Sequence, residues 1–146
     1  MIAVTILIFG VVLGIWFVTI YKVSGTNTEN GIKNKSYIVA DKFFYKIAGL
    51  KPLDVVVYKS DASGRNLFGR IIAIPGDEIV YADDAILVNN KEINIKYVDP
   101  LLTVNYPKVD VTLGDNQYLI VQSVSNQFSV QTVSLDRITG RFLFVN

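Results

Sequence analysis

The first charged residue in the chain is Lys22, and everything before it is apolar or weakly polar. Residues Ile2 to Tyr21 hold no Asp, Glu, Lys, Arg or Pro, and their weakly polar members are Thr5, Gly10, Gly14 and Thr19. Wound as a helix, a run of this length reaches about 30 Å, the thickness of a bilayer's hydrocarbon core. All 14 basic and 13 acidic side chains fall on one side of it. This asymmetry predicts a single transmembrane anchor over residues 1–22 and a separate domain over residues 23–146. Trp16, Phe17 and Tyr21 gather at the end of the run as an interfacial belt, where Lys22 can snorkel. A cleaved signal peptide is the rival reading. The length of the run, the lack of a basic segment before it and the lack of an A-x-A site after it stand against that rival. Gly10 and Gly14 form a G-x-x-x-G, either a helix–helix contact or ordinary glycine content of a membrane helix.

After Lys22 no long segment has helical periodicity. Short β-rich runs recur instead: Tyr37–Ala40, Val55–Tyr58, Ile71–Ile74, Ile79–Tyr81, Ile86–Val88, Ile93–Tyr97, Val109–Thr112, Tyr118–Val121, Phe128–Val133 and Phe142–Val145. Turn residues separate them, so the domain is expected to be all-β, an antiparallel barrel or sandwich. Pro75-Gly76 suits a type II turn, and Asn89-Asn90 suits a tight hairpin because Asn tolerates the left-handed region. Phe43 to Leu50 fits one short helical turn ending at Gly49. Ser24–Ser36 and Ser60–Asn66 read as polar loops. Adjacent Asp83 and Asp84 face opposite sides of a strand, so a solvated turn is expected there rather than a metal site. Asn34-Lys35-Ser36 is a formal glycosylation acceptor, relevant only in a eukaryotic secretory context.

The chain has no His and no Cys. That excludes a Ser-His-Asp triad, a thiolate nucleophile, imidazole or thiolate metal ligation and disulfides. Carboxylates, lysines, hydroxyls and backbone remain, and neither a metal nor another cofactor is expected. A net charge of +1 provides no basic field for nucleic acid.

The order of segments is informative. Val23-Ser24-Gly25-Thr26-Asn27 follows the apolar run; then come Leu53-Asp54-Val55-Val56-Val57-Tyr58, Gly69-Arg70-Ile71-Ile72-Ala73-Ile74-Pro75-Gly76-Asp77 and Leu87-Val88-Asn89-Asn90-Lys91. This resembles the type I signal peptidase (S26) family, membrane-anchored Ser/Lys proteases. Members run G-x-S-M-x-P-T-L, G-D-I-V-V-F, K-R-V-I-G-L-P-G-D and L-Y-V-N-G-K. The most specific match is Arg70 to Asp77, with Arg70, Pro75, Gly76 and Asp77 as its structural signature.

The resemblance implies a Ser nucleophile activated by a neutral Lys of lowered pKa. By motif, the nucleophile position falls on Asn27 and the general-base position on Gly69. A register slip of one places Thr26 at the nucleophile position and still leaves no Lys. No Ser-x-x-Lys occurs, Arg70 stays protonated, and Lys42, Lys46 and Lys59 have no motif placing them near residue 27. The family's late G-D-N-R-x-x-S-x-D-S-R block is also lost. Leu113-Gly114-Asp115-Asn116 reads as the turn into Tyr118–Val121, the block itself falls on Gln122 to Phe128, and Ile138-Thr139-Gly140-Arg141 fits the closing I-x-G-K.

Scaffold without dyad implies a chain that is not an enzyme. Such relatives serve pilus assembly in Gram-positive bacteria as accessory, chaperone-like factors. The partners then implied are the lipid bilayer, pilin subunits and sortase machinery. The expected location is the cell membrane, single-pass, with the C-terminal domain outside the cytoplasm. Lys22, Lys33 and Lys35 taken alone favour the opposite topology. The implied cleft comprises Val23, Ser24, Gly25, Thr26, Asn27, Asn66, Leu67, Phe68 and Gly69, holding an extended partner segment by β-augmentation; alternatively the site is vestigial. Two other functions remain open: an active signal peptidase with a displaced or altered site, and a membrane-tethered binding module unrelated to pili.

Overall fold

Alternating β-branched and aromatic residues build most of the secondary structure. The computed structural model of the chain describes residues 4, 17–22, 37–61, 63–82, 85–93, 110–124 and 127–145. The described residues form eleven strands: β1 Val18–Lys22, β2 Tyr37–Asp41, β3 Val55–Lys59, β4 Asn66–Ala73, β5 Glu78–Ala82, β6 Ala85–Val88, β7 Lys91–Glu92, β8 Asp110–Thr112, β9 Gln117–Val124, β10 Gln127–Ser134 and β11 Ile138–Val145. A short helix, α1, spans Phe44–Ala48. The strands form a seven-stranded sheet, β1-β2-β11-β3-β4-β9-β10, and a four-stranded sheet, β7-β6-β5-β8. Among the described strands every pairing is antiparallel.

The expectation of an antiparallel β domain holds, but the larger sheet does not close into a barrel. Its end strands, β1 and β10, lie at opposite edges of the strand order. Side chains cap its core instead: Tyr45 of α1 and Leu50 join Val56, Tyr58, Ile71, Tyr118, Ile120, Val133 and Ile138 in one buried cluster. A second cluster joins the sheets through Ile72, Ala73, Leu119 and Val121 on one side and Ile79, Val88 and Leu113 on the other. Tyr118 and Ile120 thus face the first cluster while Leu119 and Val121 face the second. A strand covered on both faces reads as a continuous apolar run, and Tyr118–Val121 is one.

The expected transmembrane helix is not supported. Val18–Lys22 is a strand in register with Asp41–Tyr37 of β2, so the last part of the charge-free run satisfies its backbone in the sheet. Tyr21 packs edge-on against Phe68, with ring centroids 6.3 Å apart, rather than standing in an interfacial belt. Lys22 pairs across the ladder with Tyr37. Among the described residues no helix is long and apolar enough to cross a membrane. Gly10, Gly14 and Trp16 lie outside the described residues.

Two turns match their sequence signals. The Asp77 N–H donates to the Ile74 carbonyl at 3.1 Å, closing the Pro75-Gly76 turn, and Gly76 has φ 85°. Asn89 and Asn90 both lie at positive φ, 52° and 62°. The strand expected over Ile71–Ile74 begins earlier, at Asn66, and the Ser60–Asn66 loop is correspondingly shorter. Of the run expected at Ile93–Tyr97, residues 94–97 lie outside the described residues, and β7 covers Lys91–Glu92.

Candidate functional site

Residues on both flanks of the R-I-I-A-I-P-G-D run are structural joints. The Asp77 carboxylate accepts from the Ile74 N–H at 2.8 Å and from the Asn89 side-chain amide at 2.8 Å. The Gly76 N–H donates to the Leu113 carbonyl and the Leu113 N–H to the Asp77 carbonyl. The turn therefore fastens β4 and the β5–β6 hairpin to the strand leading into β9. Arg70 donates to the Leu53 carbonyl at 3.1 Å. Leu113–Asn116 is a turn, as expected: the Gln117 N–H donates to the Gly114 carbonyl, the Gly114 N–H to the Gln117 side-chain oxygen, and β9 follows.

Within β4, Asn66, Leu67, Phe68 and Gly69 pair with Lys59, Tyr58, Val57 and Val56 of β3. The ladder between β4 and β9 begins only at Arg70↔Val121. Among the described strands, Asn66–Phe68 are thus paired on the β3 side alone. Asn66 is exposed, Leu67 packs partly buried on the first cluster, and Phe68 packs against Tyr21 and Phe142, the Phe142 centroid being 5.7 Å away. Val23, Ser24, Gly25, Thr26 and Asn27, the other wall of the expected cleft, lie outside the described residues.

Gly69 faces the core. A Cβ built there stands 2.4 Å from Ile120 Cγ2, 2.9 Å from the Val121 carbonyl oxygen and 3.3 Å from Tyr58 Cε1. The space that a lysine would need is already filled, so residue 69 offers its backbone only.

Sequence reasoning missed the polar concavity beside β10. A cavity of about 270 Å³ is lined by Lys59, Ser60, Gln131, Thr132, Ser134 and Arg137, among others. Asp61 pairs with Arg137 at its rim. At its floor the buried Tyr58 hydroxyl donates to the Gln122 side-chain oxygen at 2.8 Å and accepts from the Gln131 amide. No motif links these residues; β3, β9 and β10 bring them together. Burial pushes the Tyr58 phenol up to about 12, against a smaller opposing pull from Gln131. A phenol with raised folded-state pKa adds stability that is fully present below its unfolded value of about 10 and is lost as pH rises through the folded value. Alkaline titration followed by circular dichroism and phenolate absorbance should therefore show Tyr58 ionising late. About 2 kcal/mol of stability should disappear between roughly pH 10 and 12, and Tyr58→Phe should lessen that loss.

The family described as "Signal peptidase, peptidase S26" matches residues 1–134. Signal peptidase IB of Staphylococcus aureus is 30% identical over 88 residues, covering 60% of this chain and 46% of that protein. Signal peptidase I of Bacillus caldolyticus is 26% identical over 80 residues, covering 55% and 43%. The chain thus spans about half the length of the curated relatives it matches. A solved signal peptidase I from Enterococcus faecalis shares 17% identity with a TM-score of 0.46, over 62% of this chain and 94% of that one. These matches correct the expectation of a chain that is not an enzyme: the family is one of peptidases, and the relatives are named for that activity.

Proposed function

The chain belongs to the signal peptidase family, peptidase S26, and from that premise we propose that its domain receives an extended segment of an exported polypeptide along the open side of β4. The observation that carries this reading is the one-sided pairing of Asn66–Phe68, directly before the motif Arg70–Asp77. Unpaired strand backbone is a template for β-augmentation, in which main-chain hydrogen bonds supply affinity whatever the side chains. The filled space at Gly69 supports a further point: hydrolysis by this chain takes its general base from a residue other than 69. The segment bound belongs to a pilin subunit in the reading that the resemblance carries. The domain works at the cell membrane, on the extracytoplasmic side.

The test uses the full chain and a fluorescent peptide spanning a signal-peptide junction, read by anisotropy, with its products weighed by mass spectrometry. The peptide is expected to bind saturably. A copy N-methylated at alternate residues, which cannot pair with a strand edge, is expected to bind at least tenfold more weakly. Equal binding by both peptides would overturn the reading.

A further inference from the structure

The polar cavity beside β10 carries more positive than negative charge. In the antiparallel ladder Ile138 pairs with Tyr58, so the next residue on each, Arg137 and Lys59, reaches the same corner. Both line the cavity of about 270 Å³, and among the described residues Asp61 is its one acidic lining residue. Lys59 forms no ion pair among the described residues. Two cations facing one carboxylate leave an unbalanced positive charge in a concave wall, where field lines are focused.

Arg137 shows which ligand chemistry this corner accepts. Its guanidinium already holds a carboxylate, that of Asp61. A guanidinium presents planar, paired donors that match the two oxygens of a carboxylate. The Asp61 side chain is 85% exposed, on the loop between β3 and β4, whereas that of Arg137 is 28% exposed. An ion pair with so open a partner contributes little to stability. A carboxylate arriving from outside can therefore replace Asp61 on Arg137 at small cost, and it gains Lys59 as a second cation.

The rest of the wall complements a peptide unit. Of the lining residues only Val133 lacks a polar side chain. The buried Tyr58 hydroxyl donates to Gln122 and accepts from Gln131. That contact fixes the Gln131 side chain and leaves its carbonyl oxygen and second amide hydrogen for a ligand. The Ser134 hydroxyl makes no hydrogen bond to the single turn Leu135–Arg137 that it precedes. An acceptor and a donor on one amide match the N–H and C=O of a peptide, whereas a fully ionised phosphate offers acceptors alone. The volume lies just below the range of about 300–1,000 Å³ usual for ligand pockets, which suits one or two residues rather than a long segment.

We propose that this cavity binds the free carboxylate at the C-terminus of a peptide. Arg137 and Lys59 hold the carboxylate, Gln131 and Ser134 hold the last amide, and Asp61 is the internal carboxylate that occupies Arg137 when no peptide is bound. The site uses none of residues Asn66–Phe68, so it stands or falls independently of strand pairing along β4.

Isothermal titration calorimetry on the full chain tests this with three probes: N-acetyl-alanyl-alanine, the same dipeptide as its C-terminal amide, and inorganic phosphate. The acid is expected to bind, and the amide to bind about tenfold more weakly or worse, since it lacks the charge that the two cations recognise. Added salt should weaken the acid. Arg137→Gln and Lys59→Gln should each weaken it severalfold, and Arg137→Lys, which keeps the charge without the planar fork, should recover only part of the loss. Asp61→Asn should tighten the acid severalfold, because it removes the internal competitor; a purely structural Asp61 would not do this. Asp61 is exposed and the change is isosteric, so this variant keeps the fold, and thermal melts check the others before titration. No heat from the acid, equal binding of acid and amide, phosphate bound more tightly than the acid, or an Asp61→Asn variant with unchanged or lower affinity would each overturn the proposal.

Discussion

Introducing a side chain at Gly69 is expected to destabilise the domain by forcing β4 away from β9. The Cβ of alanine would meet Ile120 Cγ2 at 2.4 Å and the Val121 carbonyl oxygen at 2.9 Å. Ile120 is fully buried, and Val121 O belongs to the neighbouring strand, so neither has free space to move into. Overpacking of this kind costs about 1–3 kcal/mol, and a backbone contact that cannot rotate away places Gly69→Ala toward the upper end. Gly69→Lys should cost more, because it also drives an ammonium toward a cluster built of apolar side chains and Tyr58. Thermal melts of the full chain test this, at about 2–4 °C for each kcal/mol in a protein of this size. Adding Ile120→Ala to Gly69→Ala should recover part of the loss, so the double variant should be more stable than the sum of the singles implies. Unchanged melting of Gly69→Ala would show that β4 and β9 are less closely apposed than described. For the chemistry, the consequence is that Gly69→Lys is a poor way to build a family-type general base here: the β9 backbone and Ile120 fill the place it would occupy.

Asp41→Ala should be nearly as damaging, for an electrostatic reason rather than a steric one. Asp41 is 2% exposed. One carboxylate oxygen accepts from the N–H groups of Phe43 and Phe44 at 2.8 and 2.7 Å, and the other faces Arg141 Nη2 at 3.4 Å. Three positions before the first helical residue, it thereby receives the N–H groups that open α1 and ties that start to β11. Alanine would leave two helix-end donors and a largely buried guanidinium without this partner. Removing one member of a buried pair costs about 3–5 kcal/mol, and loss of a helix-start acceptor about 1 kcal/mol. Because the Arg141 contact is long, a total of about 3 kcal/mol is expected. Asp41→Asn keeps an oxygen for the two N–H groups and should cost about 1 kcal/mol. Chemical denaturation of the three proteins separates these cases, and equal losses for Ala and Asn would assign the whole effect to the charge facing Arg141. Through these two hydrogen bonds Asp41 also fixes the backbone of Phe43 and Phe44.

Local turn chemistry was the most legible part of the fold. Pro75-Gly76 and Asn89-Asn90 declare backbone angles that few other pairs adopt, and both turns occur where they were read. The β-runs were placed well wherever pairing partners flank them, as in Val55–Lys59 and Gln117–Val124. Charge-free composition proved ambiguous. Val18–Lys22 is apolar enough for a membrane helix and β-branched enough for a strand, and the five-residue register with β2 settles it as a strand. Hydropathy records only that water is avoided, which sheet and bilayer satisfy equally.

Of the candidate site, the chain order of motifs carried the family relationship, and Arg70–Asp77 carried most of that. Residue identity alone established that positions 27 and 69 bear no serine and no lysine. Geometry decided the rest, because it depends on which strands become neighbours. The packing of Ile120 into the space at Gly69 and the cavity beside Lys59 join segments dozens of residues apart, and the one-sided pairing of Asn66–Phe68 depends on where β9 leaves β4. No local pattern encodes such a meeting; the burial of alternate faces of β4 and β9 in two different cores produces it. The amino-acid order thus specified lineage, turns and the chemistry the side chains lack. The tertiary structure specified which β4 residues pair with a described strand on one side only, how tightly β9 packs on position 69, and which apolar side chains of the described residues face outward.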